Sequence, residues 1–174
     1  MKRYTKKSLM NRIDKLTIAE MWANTRDNFV DKHIGKLDSE NVSDSDLIHR
    51  AVTTKKDVSA FTGSRDDVLD LIKAALTEEN DIIVDWVNDM SDGDDWVCVY
   101  NSDTPIGRGF YRSFNHTWNA GACNCSEIHV VLRKTYNSDE FRIVTAYPVP
   151  TDTEKDECIA RSFAYDEEYG RKAK

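Results

Sequence analysis

Apolar residues recur every three to four positions near the start of the chain, a spacing typical of helices. The pattern predicts one helix from Thr5 to about Val30, or two shorter helices because Asn24 and Asp27 interrupt the apolar stripe. The glycine in the segment 31–36 favours a turn or the end of a helix there.

A polar, turn-rich stretch at residues 37–46 predicts an exposed loop. After it, Ser45 or Asp46 is expected to cap a short helix. Ser64, followed three residues later by Asp67, has the spacing of a capping box and predicts the start of another helix. The first part of the chain is therefore predicted to be helical.

From about residue 82 the apolar period becomes two, which is typical of strands. The predicted strands are Ile82–Val87, Trp96–Tyr100, Ile106–Tyr111, Glu127–Lys134 and Glu140–Tyr147. Helices followed by antiparallel strands predict the α+β class, with N-terminal helices packed on a bent antiparallel sheet.

The stretch 141–148 is the strand on which the functional hypothesis depends. Strict alternation puts two apolar residues and then two hydroxyls on one face, namely Phe141, Ile143, Thr145 and Tyr147. The other face would hold Arg142, Val144 and Ala146, and Pro148 would end the strand. A core strand whose last residues open into a cleft fits this pattern, although Thr and Tyr are also good strand formers.

The composition is that of a globular domain of ordinary size, with 174 residues, 40% hydrophobic and 32% charged. No apolar run approaches the roughly 18 residues of a membrane span, and no apolar segment follows the basic N-terminus as a secretory signal requires. The four cysteines are too few for a disulfide framework, and we expect mostly structural thiols in a reducing compartment. Cys123 and Cys125 lack zinc-site spacing, so no metal is expected.

Charge is distributed unevenly along the chain. Residues 1–36 contain 9 basic and 4 acidic side chains, whereas residues 37–96 contain 5 basic and 16 acidic ones. The first block has the sign that a nucleic-acid face needs. The acidic block is either a solvated surface or a surface for a basic protein partner.

Histidines are the candidates for proton transfer near neutral pH. His33 lies between Lys32 and Lys36 in the basic block, and cationic neighbours favour the neutral form that a base must have. His49 and Arg50 are adjacent, so only one of them is expected to face a cleft. His129 falls in the middle of a predicted strand and is interpreted as structural.

Phosphate-binding loops, nucleophile elbows and dinucleotide fingerprints are absent from the sequence. A histidine, an arginine, a threonine and a tyrosine remain, a set that suits cleavage of a phosphodiester without metal or cofactor. RNA supplies its own nucleophile, the ribose 2′-hydroxyl, so the protein needs only a base, an acid and groups that stabilise the phosphorane.

Five short motifs then follow one another in the order of a known family. The chain resembles the RNase A-like toxin domain at the C-terminal end of bacterial contact-dependent growth inhibition proteins and related polymorphic toxins. The segments that carry the resemblance are His33-Ile34-Gly35-Lys36, Leu47-Ile48-His49-Arg50, Ser59-Ala60-Phe61, Val130-Val131-Leu132-Arg133 and Thr145-Ala146-Tyr147-Pro148.

The resemblance implies an RNase A-like fold and metal-independent RNA cleavage by His33, Arg50, Thr145 and Tyr147. His33 would be the base, Arg50 and Thr145 would stabilise the phosphorane, and Tyr147 would do the same or help to protonate the leaving group. Lys32, Lys36 and His49 are expected to bind substrate. The insertion around residues 38–45 leaves open whether His49 or Arg50 faces the cleft.

The resemblance also implies an RNA substrate, with tRNA among the candidates, rather than DNA, and a dedicated immunity protein as partner. The expected place of action is the cytoplasm of a target bacterium, after delivery or after expression in the same cell. The expected division is an N-terminal helical segment 1–29, a catalytic domain 30–150 and a C-terminal extension 151–174. The alternative is a catalytically inactive module on the same fold that binds RNA or protein.

Overall fold

The computed structural model describes residues 4–19, 43–89, 95–114, 121–135 and 140–169. The helices within these ranges are α1 (Lys6–Asp14), α2 (Asp44–Thr54), α3 (Arg65–Glu78), α4 (Asn80–Asn88) and α5 (Asp152–Tyr169). The strands are β1 (Val58–Phe61), β2 (Trp96–Asn101), β3 (Gly107–Phe110), β4 (Cys123–Cys125), β5 (Glu127–Lys134) and β6 (Phe141–Val149).

The strands form two antiparallel three-stranded sheets. One sheet has the order β1-β3-β4 and the other the order β2-β5-β6. Helices α1, α3 and α4 pack together, and α3 lies against β2 and β5. The predicted α+β class is therefore confirmed.

Capping boxes begin the first three helices. The Ser64 hydroxyl accepts from the Asp67 backbone N–H while the Asp67 carboxylate accepts from Ser64, so the predicted start of α3 is confirmed. Helix α2 is capped in the same way by Ser43, with Asp46 as its partner, so the predicted cap at Ser45 or Asp46 is wrong by two or three residues.

Two other element predictions need correction. The single predicted helix is interrupted, because α1 ends at Asp14 and residues 18 and 19 are helical again. The break therefore precedes the expected one at Asn24 and Asp27, and the chain from residue 20 lies outside the described residues. The predicted strand Ile82–Val87 is helix α4, because its buried residues Ile83, Trp86 and Val87 follow helical spacing while Ile82 is 49% exposed. Strands β1 and β4 and helix α5 were not predicted.

The main core lies between helices α1, α3 and α4 and one face of the β2-β5-β6 sheet. Strand β5 contributes Ile128, Val130 and Leu132 to it, all fully buried. Helix α2 covers a second cluster over β1 and β3, and Arg108 of β3 makes a bidentate ion pair with Asp44 at the start of this helix, at 2.8 and 2.9 Å. The opposite face of the β2-β5-β6 sheet, which we call the outer face, stays outside the main core.

The two sheets meet at Gly107 and Pro148. A Cβ built on Gly107 would lie 2.5 Å from Cγ of Pro148 and 2.6 Å from the backbone oxygen of Ala60. The Tyr111 hydroxyl donates to the Pro148 carbonyl at 3.2 Å from the same side. Close approach at a glycine therefore fixes the end of β6 against β3.

Replacement of Gly107 by alanine is expected to lower the free energy of unfolding by about 2 kcal/mol, because the added methyl group overpacks this contact. In a chain of this size that is a fall of about 4–8 °C in the unfolding midpoint. Thermal unfolding checks it, with Asn124→Ala, an exposed side chain on neighbouring β4, as the control. Equal midpoints for Gly107→Ala and wild type would contradict the close packing.

The cysteines depart from the expected set of free thiols. Cys98 and Cys125 are free, and burial raises the pKa of both, to about 12 for Cys125, so they are structural thiols as predicted. Cys123 and Cys158, however, form a disulfide that joins β4 to α5. The expectation of structural thiols is wrong for this pair, because residues 35 positions apart in the sequence are brought together only by the packing of α5 on β4.

Reduction of this disulfide is expected to destabilise the protein by about 3–4 kcal/mol, the loop-closure entropy of a 35-residue loop. Urea unfolding with and without a reductant measures the difference. A Cys123→Ser/Cys158→Ser variant should unfold at the midpoint of the reduced wild type and should not respond to the reductant. A wild-type midpoint that ignores the reductant would contradict the prediction.

Candidate active site

A β-bulge in strand β6 decides which way the predicted site residues point. Val131 pairs with Thr145 and Leu132 pairs with Ile143, so Val144 is an extra residue without a register partner on β5. An extra residue reverses the alternation of faces beyond it. Phe141 and Ile143 are buried in the core before the bulge, whereas Ala146 and Pro148 are buried after it.

Thr145 and Tyr147 therefore lie on the outer face, opposite Phe141 and Ile143. The prediction that all four share one face is wrong, because it assumed unbroken alternation. The bulge moves both hydroxyls together, so they remain neighbours on one face of the strand.

The outer face is arranged in rows across the three strands. Its residues are Val97, Val99 and Asn101 on β2, Glu127, His129, Val131 and Arg133 on β5, and Arg142, Thr145, Tyr147 and Val149 on β6. Arg133 and Arg142 are paired at one end, and Arg133 makes a bidentate ion pair with Asp95 at 2.7 and 2.6 Å. The hydroxyls of Thr145 and Tyr147 follow, so cations and hydrogen-bond donors share a surface that suits a phosphate chain.

His129 lies on the outer face beside Tyr147. The two residues are register partners, and their rings are 5.6 Å apart at an interplanar angle of 52°. His129 Nε2 lies 2.5 Å from Oε1 of Glu127, and the side chains of His129 and Glu127 are 25% and 21% exposed. This histidine was interpreted as structural, but Glu127 and His129 are two residues apart on a strand and so share a face.

Helix α2 settles the geometry of the adjacent pair His49 and Arg50. Leu47 and Ala51 form the buried side of the helix, and Arg50 is half-buried beside them while His49 is exposed. Burial lowers the pKa of Arg50. The Asp46 carboxylate, one turn earlier on the helix, partly offsets this because it raises the same pKa. Of the two residues, Arg50 is therefore the one turned towards the protein, and its guanidinium stays charged at any physiological pH.

Arg50 and the two hydroxyls lie on elements that share neighbours. Helix α2 packs on β1 and β3, and both of these strands contact β6, which carries Thr145 and Tyr147. The other predicted site residues, His33, Lys32 and Lys36, lie outside the described residues, as does His116.

A cavity of about 560 Å³ opens at the end of the outer face beyond His129. The last row of the sheet, Asn101, Glu127 and Val149, forms one wall. Phe114, whose ring stacks on Tyr111 at 5.0 Å, forms another. Its volume is in the range of small-molecule and nucleotide pockets.

Glu154 of helix α5 holds the turn that precedes β5. Its carboxylate accepts hydrogen bonds from the backbone N–H and hydroxyl of Ser126, at 3.0 and 2.5 Å, and from those of Thr151. Burial tends to raise the pKa of Glu154, but the bonds from Ser126 and Thr151 outweigh it and lower the pKa below its ordinary value of 4.5. Glu154 therefore positions the start of the strand that carries Glu127 and His129.

Within the described ranges, no three histidine, cysteine or carboxylate side chains come together as a metal-binding group. Among the helices that the structure describes, none has both the length and the apolar character needed to cross a membrane.

The described residues thus combine a histidine, two hydroxyls and arginines on an α+β fold. Residues 28–148 match the family model described as the bacterial CdiA-CT RNase A domain, and the chain belongs to this family. The predicted resemblance is confirmed.

A solved structure supports the same fold. The chain is similar to one in the crystal structure of a CdiA-CT/CdiI complex from Y. kristensenii, with a TM-score of 0.57 and 22% identity. The similarity covers 71% of this chain and 99% of that one. Among curated proteins, no relative matches the chain significantly.

The Glu154 hydrogen bonds predict a dependence of stability on pH. Because the folded pKa is lowered, the stabilisation is present above the unfolded pKa and is lost as pH falls through the folded value. Glu154→Gln is expected to reduce the free energy of unfolding by about 1 kcal/mol at neutral pH, and by less below pH 4.5.

Urea unfolding at a series of pH values measures this difference. Glu157→Gln, an exposed glutamate on the same helix, is the matched control and should change stability little at any pH. A Glu154→Gln effect that stays constant down to pH 3 would contradict the assignment.

Proposed function

We propose that this protein is a toxin ribonuclease that cuts RNA internally and without a metal ion. The observation that carries the proposal is the family match over residues 28–148, which includes His33, Arg50, Thr145 and Tyr147. The outer-face position of Thr145 and Tyr147 supports it, because the bulge keeps both side chains out of the main core and on one face of the sheet.

The proposed reaction is a transphosphorylation. His33 removes the proton of a ribose 2′-hydroxyl, the 2′-oxygen bonds to phosphorus, and the bond from phosphorus to the 5′-oxygen breaks. The 5′-oxygen takes up a proton as it leaves, and the products are a 2′,3′-cyclic phosphate and a free 5′-hydroxyl. Arg50 and Thr145 stabilise the charge on the phosphorane, and Tyr147 donates a further hydrogen bond to it.

Arg50 suits the cationic role because of its environment. Partial burial on α2 raises the strength of its interaction with a phosphate, since water screens it less there. Its planar guanidinium matches two phosphoryl oxygens at once. Lys32, Lys36 and His49 complete the proposed substrate-binding set, with tRNA among the possible substrates.

The proposed partner is a dedicated immunity protein. The solved relative, by its title, was crystallised as a CdiA-CT/CdiI complex, and the present chain shares its fold. We propose that the toxin acts inside a target bacterium, in the cytoplasm where RNA is found. Residues 30–150 are proposed as the catalytic domain, with 1–29 and 151–174 as flanking segments.

Replacement of His33 by alanine is expected to reduce RNA cleavage by a factor of about 100 to 10,000, because the 2′-hydroxyl loses its base. Cleavage by the wild type should persist in EDTA and leave 2′,3′-cyclic phosphate ends. Incubation of total RNA, followed by denaturing gels and end analysis, measures both, and the gels identify the RNA that is cut. His116→Ala, which replaces a histidine that is not among the proposed site residues, is the matched control.

Two outcomes would count against the proposal. Cleavage that stops in EDTA would exclude the metal-independent mechanism. Growth arrest by His33→Ala as strong as that of the wild type would favour the inactive binding module, for which the acidic block 37–96 is the supporting feature.

A further inference from the structure

The proposed reaction needs an acid that the residues named so far supply poorly. The 5′-oxygen leaves as an alkoxide unless it receives a proton as its bond to phosphorus breaks. A tyrosine hydroxyl ordinarily has a pKa near 10 and is a weak donor for this step at neutral pH. A histidine in the same position is a far better donor.

His129 occupies such a position. It is the direct register partner of Tyr147 on the outer face. Thr145, which precedes Tyr147 by two residues on β6, is the diagonal neighbour of His129, because Thr145 pairs with Val131. Diagonal neighbours on one face of an antiparallel pair are about 7–8 Å apart, within reach of long or aromatic side chains. A phosphate bound by Thr145 and Tyr147 therefore lies next to the imidazole ring.

Glu127 holds this ring by one nitrogen only. Its carboxylate contacts Nε2 at 2.5 Å, whereas Nδ1 makes no hydrogen bond to any group in the described parts of the chain. A carboxylate on one ring nitrogen fixes the orientation of the imidazole and the tautomer of its neutral form. Nδ1 is thus the nitrogen left to exchange a proton with a substrate.

The cavity next to this pair gives the departing nucleotide a place to lie. Glu127 forms part of its wall, so the cavity begins one row beyond His129 on the outer face. Phe114, stacked on Tyr111, forms another part of the wall, and Lys155 on the same wall supplies a cation. The order along the face is then Thr145 and Tyr147 at the phosphate, His129 at the leaving oxygen and the cavity at the leaving nucleotide.

We propose that His129 is the catalytic acid of this ribonuclease, with Glu127 as its positioning residue. This inference rests on the proposed function. As the bond from phosphorus to the 5′-oxygen breaks, the electron pair stays on that oxygen, which takes the proton from Nδ1 of the imidazolium. His129 becomes neutral, and water returns the proton before the next turnover.

Two forms of one RNA test the assignment, made around a cleavage site mapped with the wild type. One has the natural 5′-oxygen at that site, and the other has sulfur in its place. A thiolate leaves readily without a proton, so the sulfur substrate needs no acid. His129→Phe keeps an aromatic ring against Tyr147 but cannot transfer a proton.

His129→Phe should lower the cleavage rate of the oxygen substrate by about 100 to 10,000-fold, and the loss on the sulfur substrate should be at least ten times smaller. His33→Ala, which removes the proposed base, should lower the cleavage rates of both substrates by the same factor. Asn124→Ala, which replaces an exposed side chain on β4 and not on the outer face, is the control and should cleave both at the wild-type rate.

The positioning role of Glu127 has its own readout. Glu127→Gln should slow the oxygen substrate more than the sulfur substrate, with a smaller loss than His129→Phe. Equal losses on the two substrates would overturn the role of either residue in proton transfer, as would wild-type rates in the variants. A wild type that cleaves neither substrate would overturn the proposed function and this inference with it, whereas active wild type with fully active His129→Phe would overturn the acid alone.

Discussion

One extra residue in strand β6 determines what this sheet offers to a substrate. The bulge at Val144 lets the strand bury Phe141 and Ile143 at its start and Ala146 and Pro148 at its end, while Thr145 and Tyr147 point to the opposite face. Without it, the five residues after Val144 would face the opposite way, and the two hydroxyls would enter the apolar core. The same bulge therefore meets two requirements. It places small apolar residues at 146 and 148 in the core, and it places hydroxyls at 145 and 147 on the outer face.

The end of this strand is held from both sheets. Pro148 packs on Gly107, where no side chain intervenes, and its carbonyl accepts from Tyr111. As a proline it has no N–H to donate, which is tolerated because β6 is at the edge of its sheet. Tyr147 is thus next to a fixed point, and Glu154 fixes the start of β5 in a similar way. These contacts at the ends of both strands hold the His129 and Tyr147 pair in register, as the proposed catalytic role requires.

The sequence predicted the class and most of the sheet, and it failed where local pattern and tertiary context disagree. Strand β5 was predicted with its observed ends because its alternation is regular and half-buried. The segment Ile82–Val87 is apolar enough to form a strand. It forms a helix because that conformation buries Ile83, Trp86 and Val87 together against the core. The bulge leaves no mark in Ile143-Val144-Thr145, since all three favour strands and the extra residue shows only in the register with β5. The Cys123–Cys158 disulfide likewise depends on the docking of α5.

His129 shows the same limit at the level of the site. Its spacing from Glu127 was readable, but its place beside Tyr147 follows from the pairing of β5 with β6, which a list of motifs does not contain. The motifs that carry the resemblance contain the residues proposed as base, cation and hydroxyl donors, and none of them contains a residue proposed as a strong acid. Glu127 contacts the histidine with one carboxylate and also lines the cavity at the end of the outer face. A nucleotide in that cavity would therefore lie against the residue that orients the proton donor, so that binding of the leaving group and placement of its acid depend on the same side chain.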